Sequence, residues 1–168
     1  MRPDFLCGLA MSAVLAACSA TSATAPSTHE LHYSGTVSAP AAGGALKYKI
    51  SGAWKLTDKN ELISGVDTTF IIDAKVYGYP GTVTIVMKTN CVAIVGSEAW
   101  AEQTVVSSTD PQFAPVGGFS VVRLSATGGL SRGGGGPRDV WYPAGNICTD
   151  KPATLPLFDL AGGVVVFP

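Results

Sequence analysis

The chain has 168 residues, 46% of them hydrophobic and only 14% charged, with 11 basic and 12 acidic side chains and a formal net charge of −1. That length and composition suit one domain with a real apolar core and fall outside the disordered and fibrous classes. The basic residues are scattered singly apart from Lys47 with Lys49 and Arg132 with Arg138, pairs that a solvated surface accounts for, and nucleic acid is excluded as a partner because it needs clustered Lys and Arg.

In chain order, Arg2 is followed by an apolar run from Phe5 to Ala17 that ends in small residues. This reads as an export leader. As a helix it would reach roughly 20 Å, short of the roughly 30 Å hydrocarbon core, and no later segment is long and apolar enough to span one. Residues 19–28 are Ser, Thr, Ala and Pro without charge or large apolar side chains, the composition of a flexible tether. The expected organisation is therefore a leader over 1–17, a tether over 18–28 and a single β-domain over 29–168.

The run that ends in Leu15-Ala16-Ala17-Cys18 resembles the lipobox of bacterial lipoprotein precursors. The resemblance implies attachment of a diacylglycerol to the Cys18 sulfur, cleavage just before it and acylation of the new amino terminus. Two or more acyl chains anchor stably where one does not. Ser19 in place of Asp implies the outer membrane, facing periplasm or cell surface, if the host is Gram-negative. The competing expectation is an ordinary leader cut near Ala25, which Pro26 opposes. Cys7 lies inside the apolar run and reads as leader filler.

With Cys18 given to lipid, Cys91 and Cys148 remain. An even pair in an oxidising compartment forms one disulfide, and closing the loop between them stabilises by about 4 kcal/mol in the chain-entropy account. A metal site would call for Cys-x-x-Cys spacing or neighbouring histidines, and neither is present.

The body of the chain alternates. Leu46, Tyr48, Ile50, Trp54 and Leu56 share one face against Lys47, Lys49, Ser51 and Lys55, the period of a half-buried strand. The same period runs through Leu31-Tyr33-Val37, Phe70-Ile72-Ala74-Val76 and Val83-Ile85-Met87, and through Phe119 and Val121 against Ser120. Helix formers at Ser97 to Gln103 revert to strand composition at Thr104-Val105-Val106, so that segment is also read as strand. Short strands follow near Trp141, Leu157 and Val164 to Phe167. Gly and Pro punctuation at 39–44, 77–81, 110–118 and 128–139 separates the runs. The expected fold is all-β: an antiparallel sandwich or a small closed barrel of seven to nine strands with one disulfide. Parallel α/β folds are excluded because no crossover helices are visible.

Cys91, Val95-Gly96 and Ala99-Trp100 are spaced as Cys-x4-Val-Gly-x2-Ala-Trp, which resembles a strand-turn-strand pattern of small uncharacterised secreted bacterial β-domains. Glu102 and Gln103 stand where that pattern commonly carries glycines. The resemblance implies the β fold and brings no activity, cofactor or catalytic residue.

Candidate chemistry is sparse. His29 and His32 are the only histidines, and odd spacing on a strand sends them to opposite faces, so no metal site is expected. The run Gly133 to Pro137 lacks the Lys and Ser/Thr of a phosphate loop and reads as a surface loop. No Gly-x-Ser-x-Gly elbow is present. Asp67, Asp73, Glu98, Glu102 and Asp139 could supply a carboxylate pair, although solvent-facing strand positions account for most of them. Trp100, Trp141 and Tyr142 form a possible aromatic platform for a ligand, with core packing as the alternative. The expected function is that of a cell-envelope lipoprotein without catalytic residues or cofactor, bound to membrane through Cys18, whose domain contacts another envelope component or a small ligand. The alternatives are a minor carboxylate-based hydrolase and a purely structural lipoprotein.

Overall fold

The computed structural model describes residues 27–41, 44–72, 78, 81–134 and 145–167. Within them run eight strands, β1 (Thr28–Ala41), β2 (Gly44–Thr57), β3 (Leu62–Ile71), β4 (Val83–Val95), β5 (Glu98–Ser108), β6 (Phe119–Ser125), β7 (Gly129–Gly134) and β8 (Phe158–Val166), and one helical turn, α1 (Ile147–Asp150). Each strand pairs antiparallel with the next, and β8 returns to β1, so the sheet closes into an up-and-down barrel. Closure decides between the two architectures that alternation alone leaves open.

The register explains why these residues form these strands. On β2, Tyr48, Ile50, Trp54 and Leu56 are buried while Lys47, Lys49, Ser51 and Lys55 are exposed. A lipid-facing barrel wall would place apolar side chains at those outward positions, so this wall faces water. Leu31, Tyr33, Val37, Val83, Ile85 and Met87 line the same core, as the alternation predicts. Gly96, at φ 58°, turns the chain between Val95 and Glu98, and the helix-forming residues after it are strand β5.

Two strands reverse the predicted parity. On β3, Phe70 and Ile72 are exposed at 37% and 36%, and Ile71 takes the inner face behind Thr69, Asp67 and Gly65. β3 begins at Leu62 rather than Phe70, and Ala74 and Val76 lie outside the described residues. On β6, Ser120 faces the lumen, where its Oγ lies 3.3 Å from Arg132 Nη2, while Phe119 and Val121 are buried on the outer side against Ile147 and Leu155. Gly133 and Gly134, expected in a surface loop, instead end β7 opposite Val121 and Ser120.

Gly52 shows how closely the interior is packed. It stands directly across from Tyr33, and a Cβ there would overlap the Tyr33 ring at Cζ and Oη. Gly52→Ala therefore displaces the tyrosine, and we expect a loss of about 1–3 kcal/mol in denaturant melts, as for other overpacked cores.

Candidate functional site

The lumen holds a polar cluster inside an apolar barrel. Asp67, fully buried, receives the Tyr33 hydroxyl on Oδ2 at 2.6 Å, and on Oδ1 it receives the Thr69 hydroxyl at 3.2 Å and Arg132 Nη1 at 3.0 Å. Arg132 Nη2 also reaches Ser120 Oγ and lies against Met87 Sδ. In an eight-membered ring β3 and β7 stand opposite one another, so the Asp67–Arg132 pair spans the barrel. Tyr33 and Gln103 come from β1 and β5, another opposed pair, giving one polar layer from alternate strands, as closed barrels favour. Gln103 Nε2 donates to Thr89 Oγ1 at 3.4 Å, and Trp54 meets the Tyr33 ring edge-on at 5.2 Å.

Burial pushes the Asp67 carboxyl above the usual carboxylate range, against the opposing pull of Arg132 and the Tyr33 and Thr69 hydroxyls. Burial and the adjacent Asp67 charge push the Tyr33 phenol well above its ordinary value, so it stays protonated and donates. Asp67 is thus neither solvent-facing nor paired with a second carboxylate.

Outside the barrel, residues 145–157 form a strap across β4, β5 and β6. Cys148, on α1, is disulfide-bonded to Cys91 on β4, with Cα atoms 6.3 Å apart. Asn146 caps α1 by accepting from Cys148 N at 2.8 Å. Arg123 fastens the strap from below. It grips Glu98 through Nε and Nη2, donates from Nη1 to the Ala153 and Leu155 carbonyls at 3.0 and 2.7 Å, and lies 5.7 Å over the Trp100 ring. Trp100, an outward residue of β5, is only 6% exposed because the strap covers it, and its Nε1 donates to Pro152 O. A platform that includes Trp100 is therefore closed, while Trp141 and Tyr142 lie outside the described residues, as do Cys18, Asp73 and Asp139.

His29 contacts Asn60 Oδ1 at 2.9 Å and His32 contacts Glu30 at 2.8 Å, two separate surface pairs on opposite faces of β1. Among the described residues no group of three or more His, Cys, Asp and Glu is placed to hold a metal. Among them, too, no helix is long and apolar enough to cross a membrane.

The outer wall from β8 through β1 and β2 to β3 carries two adjoining grooves. The larger, of about 590 Å³, lies between Thr36, Ser38 and Lys47 on one side and Leu157, Phe158 and Asp159 on the other. The smaller, of about 310 Å³, runs over Ser34, Thr36, Lys49, Ser51, Thr68 and Phe70. Spacing alone assigns these lysines no role beyond solvation; only the register, which sets Thr36 opposite Lys49 and Lys49 opposite Phe70, assembles them with an aromatic ring. No protein-family model, no curated protein and no solved structure matches this chain.

Proposed function

We propose that the chain is an exported lipoprotein, anchored in the cell envelope through Cys18, whose barrel acts by binding another envelope component or a small ligand at its outer wall. The observation that favours binding over hydrolysis is the state of the lumen. Among the described residues Asp67 is the one buried carboxylate, committed to Arg132, Tyr33 and Thr69 and with no carboxylate partner there for acid–base work. Export is supported by the Cys91–Cys148 disulfide, which persists in oxidising compartments. The anchor is supported by the lipobox-like Leu15-Ala16-Ala17-Cys18 and the uncharged tether after it.

The test is the fate of position 18. The full chain made in a bacterial host should partition with membranes, take up a palmitate label and yield a mature amino terminus modified at Cys18. Cys18→Ser should move it to the soluble fraction while its thermal melt stays unchanged, because β1 begins only at Thr28. An unmodified amino terminus beyond Ser19, read by mass spectrometry, would remove the anchor from this reading.

A further inference from the structure

We propose that the paired grooves over β8, β1, β2 and β3 bind an acidic glycan, a chain of sugars bearing carboxylates. The inference rests on the binding reading above and not on the lipid anchor. Both grooves share Thr36 as a wall and so run on from one another along one face. Lys47 and Lys49 both project onto that face, two strand positions and thus about 6.6 Å apart. Among the described residues neither lysine forms an ion pair, while Arg123 and Arg132 each do.

The remaining lining decides the ligand class. Hydroxyls from Thr36, Ser38, Ser51 and Thr68 offer donors and acceptors at short intervals, which suits a ligand that itself presents a hydroxyl on almost every carbon. Phe70, exposed beside Lys49, offers a ring face against which the C–H face of a pyranose can lie. Asp159, on the far wall of the larger groove, repels a carboxylate there and accepts hydroxyl protons instead. The grooves therefore fit an acidic sugar over the lysines and a neutral one beside Asp159. An anionic bilayer is a poorer match, because lipid-binding patches gather four to eight basic residues and the lining of these grooves holds two with a carboxylate at one end.

The probe is a galacturonate oligosaccharide, titrated by calorimetry into the full chain purified in mild detergent, beside an uncharged dextrin of equal length and phosphatidylglycerol vesicles. We expect the galacturonate to bind and the dextrin to bind far less. Each exposed ion pair removed should weaken binding by up to about fivefold, and Lys47→Gln with Lys49→Gln together by about tenfold or more. Phe70→Ala should also weaken it. All three positions are solvent-facing, so near-ultraviolet dichroism should stay unchanged. Binding that is equal for dextrin, that survives the double lysine substitution, or that occurs with vesicles in place of sugar in the Cys18→Ser chain overturns the proposal, as does no binding of galacturonate at millimolar concentration. None of these outcomes bears on membrane partitioning, which tests the anchor separately.

Discussion

Asp67→Ala should be the most damaging single substitution in the barrel, lowering the unfolding free energy by about 3–5 kcal/mol, or roughly 10–20 °C in Tm for a domain of this size. The cause lies in what remains. Arg132 is only 11% exposed, so the variant holds a guanidinium in the lumen without its anion. The Tyr33 hydroxyl also loses its acceptor. Asp67→Ala combined with Arg132→Met should recover most of the loss, because neither uncompensated charge is then present. Equal melting of the single and double variants would show that the pair contributes only through shape. The same site sets a pH dependence. The Asp67 carboxyl titrates higher in the fold than in the free chain, so the folded state holds the extra proton. Its contribution to stability is then fully present below the ordinary carboxylate value and declines as pH rises through the raised one. In Arg132→Met the opposing guanidinium is gone, so the decline should move to higher pH, which urea melts across a pH series would read.

The polar layer was out of reach of sequence reasoning, whereas the fold class was not. Alternation is legible where polarity and direction agree, as on β2, where every lysine points to water and Trp54 and Leu56 point inward. It misleads where the lumen itself is polar. On β3 the inward positions are Gly65, Asp67 and Thr69 and the outward ones include Val66 and Phe70, so hydrophobicity marks the wrong face. On β6 both faces are buried, one by the lumen and one by the strap, and Phe119 and Val121 cannot announce which cover they lie beneath. β7 ends in glycines, which have no side chain with which to mark a face. The disulfide could be expected from the parity of cysteines in a chain read as exported, while the grip of Arg123 on Glu98 and Trp100 could not, since it joins residues that no spacing relates.

Removing the disulfide should separate two contributions that the intact protein combines. In Cys91→Ser with Cys148→Ser the chain-entropy account predicts a loss of about 4 kcal/mol, because the unfolded chain regains the freedom of the loop between the two positions. That loss would appear in global melts and leave the folded barrel as it is. The geometry adds a local effect. α1 is a single turn, too short to hold itself, and beyond the disulfide the hold of the strap on the wall comes from Ile147 against Phe119 and Val121, from Trp100 Nε1 donating to Pro152 O and from the Arg123 contacts to Ala153 and Leu155. Without Cys148 the amides of 147–151 should exchange with solvent orders of magnitude faster than those of β2, and Trp100 should become open to quenching as its cover lifts. Arg123→Ala in the disulfide-free background should deepen this opening, and in the intact protein it should do much less. If strap and barrel amides instead exchange together in the disulfide-free chain, the strap belongs to the cooperative core and the disulfide acts through the unfolded chain alone.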